Sequence, residues 1–434
     1  MFVLRTQAVR ASARLPSSAA PRCAPTLRSL SRKYSTPTTP SRPNATPQSL
    51  AQIIEDTITA TGPLSVARYM QLCLTHPTLG YYSQGDVFGE KGDFVTSPEI
   101  SQIFGELVAV WLMTRWLAAG SPSSCRIVEL GPGRGTLMDD VLRTFQRFGK
   151  PTINTIHLVE NSENLQSVQR QKLSPRAKDL GADLVWNEQV DMIPQSDDFT
   201  FVIAHEFFDA MPIHILQRTD EGFREVKVGK NASYEPSTSS PRFSLGLDRE
   251  QSFMSSLLPA SSTRFSSLPI GSQLEVSPDS SRIIRSVGSL MSNGGAGLVV
   301  DYGGDKAYAS SFRAFRKHTI VDVFDEPGSS DLTANVDFAY LRESLEGVAN
   351  CYGPISQASF LLGLGLEPRL TALMSSAAGD PEKQQRIRRG AQRLIDEMGM
   401  GSQYQVMAFA NGPAGEGDVY PFISVGDAPS KATS

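Results

Sequence analysis

The stretch Glu129-Leu130-Gly131-Pro132-Gly133-Arg134-Gly135-Thr136 constrains the fold of this chain more than any other. It lies between an apolar run, Arg126 to Leu130, and an amphipathic run, Thr136 to Phe148. The first reads as a strand and the second as a helix. Glycine at alternate positions lets the backbone turn sharply and approach a ligand where a Cβ would collide. Further strands are expected at Ile153 to Glu160, Ala182 to Trp186 and Phe199 to Ala204, with helical stretches between them. Such alternation implies right-handed crossovers and a parallel sheet covered by helices on both faces. Gly297 to Asp301 and Thr319 to Val323 are expected to extend that sheet, and Gln405 to Phe409 to close its edge.

A dinucleotide site needs G-x-G-x-x-G, its third glycine one place later, where this chain has Thr136. The spacing E-x-G-x-G-x-G instead resembles the first motif of Rossmann-like methyltransferases that bind S-adenosylmethionine. Glu129, Gly131, Gly133, Gly135 and Thr136 are the expected cradle for that cofactor. An acid two places before the first glycine suits a ligand carrying an ammonium and a sulfonium, and would repel a pyrophosphate. Glu160, at the end of the second strand, is placed to accept hydrogen bonds from both ribose hydroxyls. The alternative is that the glycines make only a tight strand-to-helix turn.

The segment His205-Glu206-Phe207-Phe208-Asp209 follows the fourth strand at the carboxyl edge of the sheet, where open α/β sheets bind ligands. Two carboxylates three residues apart, with two phenylalanines between them, form a partly desolvated acidic pocket. Glu206 and Asp209 could hold a guanidinium by bidentate hydrogen bonds and leave one nitrogen facing a methyl donor. Because arginine stays protonated to a pKa above ~12, such sites act by orientation and electrostatics. Equally, Glu206 could start a helix or pair in a salt bridge, with the phenylalanines in the core. His205 reads as a structural histidine, with proton acceptance the alternative.

The 434 residues, 40% hydrophobic, suffice for one large core or two modest ones. The first 34 carry seven basic side chains and no acid, the composition of a mitochondrial transit peptide. The rest of the chain therefore carries a net charge of −11, against −4 for the whole. That balance disfavours sequence-independent nucleic-acid binding. Four isolated cysteines and five scattered histidines suggest neither disulfides nor a metal site. No run approaches the ~20 apolar residues that span a bilayer.

A Pro/Thr/Ser linker at 35–48 precedes an expected N-terminal helical cap at 49–125, in which Thr96 and Glu99 have capping-box spacing. The catalytic domain is expected at 126–412, with a Ser-rich, partly flexible surface insertion at about 231–269, and 413–434 as a flexible tail.

Segments spread over residues 50 to about 410 resemble the MidA-like proteins, mitochondrial protein-arginine methyltransferases that assist complex I assembly. They are Gly62 to Ser65, His76-Pro77, Gly80-Tyr81-Tyr82, Gly92 to Ser101, Glu129 to Thr136, His205 to Pro212, Asp301-Tyr302-Gly303, Leu332 to Phe338 and Gly353-Pro354-Ile355. The resemblance implies an α/β, Rossmann-like (class I) methyltransferase sheet with an N-terminal helical cap and inserted segments. It implies symmetric dimethylation of an arginine on a complex I matrix-arm subunit, in the mitochondrial matrix, with S-adenosylmethionine as cofactor. Asp93, Ser97 and Glu99 would then cover the site, and Trp186 is the candidate for adenine contact. The competing readings are a methyltransferase for another acceptor, or an assembly chaperone without catalysis.

Overall fold

A computed structural model describes residues 49–83, 96–149, 151–235, 237 and 240–422. The expected leader and linker lie outside these residues, as does most of the tail.

The sheet is built from β1 (Cys125–Leu130), β2 (Ile153–Val159), β3 (Asp183–Asn187), β4 (Phe199–His205), β5 (Gly295–Gly304), β6 (Asn350–Ser356) and β7 (Tyr404–Asn411). Their spatial order is β6-β7-β5-β4-β1-β2-β3, in a sheet of eight strands once Val336–Asp337 is added beside β5. β1 through β5 run parallel, and β7 inserts antiparallel between β5 and β6. The chain leaves β1 for β2 on one side and later returns to β4 on the other. This makes the β1/β4 edge a topological switch point, the place where such sheets open a crevice.

Neighbouring residues on a strand face opposite ways, so both faces of a buried strand are apolar. Ile127, Phe201 and Ile203 pack beneath α3 (Gln102–Ala118), α4 (Thr136–Phe148) and α5 (Glu163–Leu180). Val128, Val202 and Ala204 face the opposite layer, with Ile284, Val287 and Phe338. Buried Arg126 crosses between strands, its guanidinium donating to Thr200 Oγ1 and to the Pro194 and Leu290 carbonyls.

Four expectations are corrected. The run Gln405 to Phe409 does not close the edge of the sheet: it lies in β7, between β5 and β6, and β6 forms that edge. Thr319–Val321 lies in a separate three-stranded antiparallel sheet with Arg313–Arg316 and Asp331–Thr333, so an apolar run alone did not identify its partner. The cap divides: α3 packs on the main sheet, whereas α1 (Leu50–Thr61) and α2 (Val66–Thr75) cover a second, antiparallel sheet. Thr96 makes no side-chain cap, and Ser97–Ile100 is a single turn that ends where Ser101 caps α3.

The second sheet comprises Leu64–Ser65, His214–Thr219, Gly222–Lys230, Phe243–Leu247 and Gln273–Val276. Its third and fifth members bracket the Ser-rich segment. That segment contributes the Phe243–Leu247 strand, pairing with Gly222–Lys230, and buries Phe243 and Phe265 completely. Serine abundance hid two aromatic anchors on opposite faces of the sheet.

Phe243→Ala should therefore cost about 3–5 kcal/mol, the range for a fully buried phenylalanine. Leu245→Ala, at 44% exposure on the same strand, should stay within about 0.5 kcal/mol. Urea denaturation of the two variants checks this; equal stabilities would return the segment to the status of a surface insertion.

Candidate active site

The glycine loop takes the conformation its residues permit. Gly131, Gly133 and Gly135 have φ of 60°, 51° and 74°, all left-handed, where a side chain is strained. Gly131 is held by a hydrogen bond from its N–H to the Val159 carbonyl, 3.0 Å, and a Cβ on it would come within 2.9 Å of the Phe207 ring. Gly135 caps α4 without a side chain. Beside the loop lies a cavity of about 870 Å³ at the carboxyl ends of β1, β2 and β4.

Among the expected cofactor residues, Glu129, Gly131, Gly133, Thr136 and Glu160 line this cavity. Burial pushes the Glu129 carboxyl up to about 8, and its Oε2 has no partner among the described residues. Glu160 is also raised by burial, while the Ser162 N–H (2.8 Å) and Gln169 Nε2 (3.2 Å) donate to its two oxygens. Gln169 donates from the same nitrogen to the Gly133 carbonyl at 2.7 Å. Its oxygen accepts from Trp186 Nε1 at 2.8 Å. Trp186 does not line the cavity; it fixes Gln169, which ties the glycine loop to Glu160. Gly135 likewise stands behind the cavity wall, against Leu173. After β3, Glu188, Gln189 and Val190 reach the cavity instead, a loop with no motif to mark it in the sequence.

An orphaned buried carboxylate oxygen and three left-handed glycines fit the cationic end of S-adenosylmethionine. A carboxylate at the end of β2 fits its ribose.

His205, Glu206 and Asp209 line the same cavity. Glu206 does not start a helix: it sits at φ 48°, half-buried, its N–H bonded to the Val300 carbonyl at 3.0 Å. The Tyr404 hydroxyl donates to its Oε1. Burial, reinforced by Asp209, Asp331 and Glu99, raises Glu206 to about 8. Burial also raises Asp209, to about 6, with Arg313 opposing. His205 is pushed down to about 3 by burial, and its Nε2 has no hydrogen-bond partner among the described residues.

The loop between Glu206 and Asp209 hangs on Asp301, in the carboxyl-terminal half of the neighbouring strand β5. One Asp301 oxygen accepts from the backbone N–H groups of Phe207, Phe208 and Asp209 at 3.2, 2.9 and 3.3 Å. Tyr302 packs on Tyr404 with ring centroids 4.0 Å apart. From the antiparallel three-stranded sheet comes Asp331, which lines the cavity and accepts from the Tyr82 hydroxyl at 3.0 Å. Asp301, Tyr302, Asp331 and Tyr404 were not singled out as site residues in the sequence; Asp301 and Tyr302 stood in a segment quoted for the resemblance, whereas Asp331 and Tyr404 stood in none.

The expected covering residues separate. Glu99 lines the cavity, whereas Ser97 is buried behind it, donating to Gln357 at 3.2 Å. Asp93 lies outside the described residues. Among the described residues no group of three or more His, Cys, Asp or Glu is arranged to hold a metal, and no helix is long and apolar enough to cross a membrane.

Residues 107–355 match the family described as S-adenosyl-L-methionine-dependent methyltransferases. The chain is 38% identical to the zebrafish (Danio rerio) mitochondrial protein arginine methyltransferase NDUFAF7, over 84% of this chain and 87% of that one. It is 39% identical to the Drosophila melanogaster homolog, over 86% and 88%. A Burkholderia thailandensis protein crystallised with S-adenosyl-homocysteine superposes with a TM-score of 0.70 at 26% identity, covering 87% of this chain and 96% of that one. With the glycine loop, Glu160 and the Glu206–Asp209 pocket all inside the matched region, the chain belongs to this family of S-adenosyl-L-methionine-dependent methyltransferases.

Proposed function

We propose that this enzyme methylates an arginine side chain of a protein, binding the guanidinium against Glu206 and Asp209. The observation that carries the reading is the set of carboxylates gathered at the switch point, beside the cofactor loop and, among the described residues, with no lysine or arginine as an ion-pair partner of Glu206. Gathering several acids away from water is costly, and Arg313 offsets only part of the charge on Asp209. A guanidinium offers five donors in a planar fork and would neutralise them when it binds. The curated relatives are named protein arginine methyltransferases, which supports the same acceptor.

Bound S-adenosylmethionine supplies the methyl group from its sulfonium. On this reading Glu129, Gly131, Gly133 and Thr136 hold the cofactor's amino-acid end, and Glu160 its ribose. Glu206 orients the acceptor nitrogen, itself steadied by Tyr404, and Asp209 shares the guanidinium charge. Transfer leaves the guanidinium with one proton to lose. A carboxylate raised to about 8 is matched to receive it near neutral pH, whereas a histidine depressed to about 3 is too weak a base. We assign His205 to shaping the neutral wall of the pocket, edge-on to Phe104 at 5.0 Å. The resemblance to the MidA-like proteins extends the proposal to a complex I matrix-arm subunit as acceptor and symmetric dimethylarginine as product. The relatives' mitochondrial names and the acid-free basic leader support a matrix location.

Mass spectrometry of complex I subunits from cells with and without this protein tests the reading. We expect loss of dimethylation at one arginine, and an unchanged pattern would reject it. Gly133→Val should abolish cofactor binding in calorimetry, because a branched side chain would stand in the cradle at a left-handed φ of 51°. Glu206→Gln should lower kcat by roughly 100-fold or more while leaving cofactor affinity within a few-fold. Glu206 must be ionised to clamp a permanent cation, so kcat/KM should fall as pH drops below about 8. In Glu206→Gln that limb should disappear, and its persistence would assign the titration elsewhere.

A further inference from the structure

Outside the cavity the most uneven feature is the helix Pro381–Leu394. Lys383, Arg386, Arg388, Arg389 and Arg393 are all exposed, and among the described residues none of them has an ion-pair partner. In a chain whose net charge beyond residue 34 is −11, these five cations on one helix, against Glu382 alone, form a local reversal of sign. Lys383, Arg386, Arg389 and Arg393 recur at spacings of three and four, so they form one stripe, with Arg388 elsewhere on the circumference.

The stripe is anchored next to the site. Gly390, one turn from Arg386 and Arg393 and adjacent to Arg389, is buried, and a Cβ on it would come within 2.8 Å of the Ile100 carbonyl. The turn Ser97–Ile100 thus touches this helix on one side, while its Pro98 and Glu99 line the cavity. Gln357 makes a second tie, donating to the Leu394 carbonyl at 2.8 Å and accepting from Ser97 at 3.2 Å. The basic stripe therefore stands within about one helix diameter, ~10 Å, of the cavity wall.

We propose that this stripe docks an acidic segment of the protein substrate while the adjoining cavity takes its arginine, an inference that rests on the methylation reading above. The two surfaces have opposite signs: an acid-lined cavity selects a cation, and a basic helix beside it selects the anions that flank that cation. An extended chain advances about 3.3 Å per residue, so the acidic residues should lie about three to six positions from the acceptor arginine. Charge complementarity of this kind raises encounter rate and fixes register.

The test uses the full protein and a fluorescent peptide bearing one arginine followed, three to six residues on, by glutamates; a twin peptide carries glutamines instead. Fluorescence anisotropy should show the glutamate peptide binding about tenfold more tightly, with the advantage erased near 1 M salt, where screening acts over ~3 Å. The variant Arg386→Glu/Arg389→Glu/Arg393→Glu should lose the preference yet keep cofactor affinity, which reports that it is folded. Arg388→Glu, off the stripe, should keep the preference. Equal binding of the two peptides by the unmodified protein, or equal loss in Arg388→Glu, would overturn the proposal. So would a helix that serves a lipid surface: co-sedimentation with cardiolipin-containing vesicles, abolished in the triple variant, together with no peptide preference. Because anisotropy needs no methyl transfer, a lysine-for-arginine peptide that docks equally well but is never methylated leaves the docking surface standing and isolates a failure of the acceptor reading.

Discussion

The site depends on one carboxylate that touches no substrate. Asp301 lies on β5, fully buried, and the three backbone hydrogen bonds it accepts fix the peptide planes from Phe207 to Asp209. Converging N–H groups are the usual way a loop stabilises an anion. Here the relation is reversed in purpose, because the buried side chain disciplines the loop. With those planes fixed, Glu206 keeps its left-handed backbone and points where Tyr404 can reach it. Because β4 and β5 are in register up to His205 and Val300, the strand pairing itself delivers the acid to the loop.

A second constraint is electrostatic. Glu129, Glu206 and Asp209 are each raised by burial, so the free pocket holds protons that a bound cation displaces. The cofactor's sulfonium and an arginine are both permanent cations. A pocket of this kind therefore couples their binding: each neutralises part of the repulsion among the acids. Their positions along the wall decide which cation sits where. Glu129 lies on β1 and Glu160 just past β2, whereas Glu206 and Asp209 follow β4 on the other side of β1.

Much of this was legible in the sequence because it is local. The strand, glycine loop and helix from Arg126 to Phe148 lie in one stretch, and their spacing separates a sulfonium ligand from a dinucleotide. Glu160 and the Glu206–Asp209 pair follow from their place after strands. What the pattern concealed is non-local. Trp186 was a candidate adenine contact through the family resemblance; its indole N–H instead serves Gln169, invisible until α5 is folded over the loop. Tyr404 is 198 residues from Glu206 in the chain, and only the antiparallel insertion of β7 brings them together. Thr319–Val321 is as apolar as a main-sheet strand, but pairing partners decide sheet membership, and those are set by tertiary structure. The Ser-rich segment misled in the opposite sense, since two buried aromatics outweigh many polar neighbours.

The late arrival of β7 has a consequence for how the enzyme comes into being. The cofactor loop is complete within the first half of the sheet, but the tyrosine that steadies Glu206 belongs to the strand laid down last and slotted between two older ones. A chain emerging from a ribosome or threading through a translocase could thus acquire its nucleoside pocket well before it acquires a finished acceptor pocket. A fragment ending short of residue 404 would lack that tyrosine and also the interior strand whose Val406, Met407 and Phe409 are fully buried, so closing the sheet and completing the wall beside Glu206 are one and the same event.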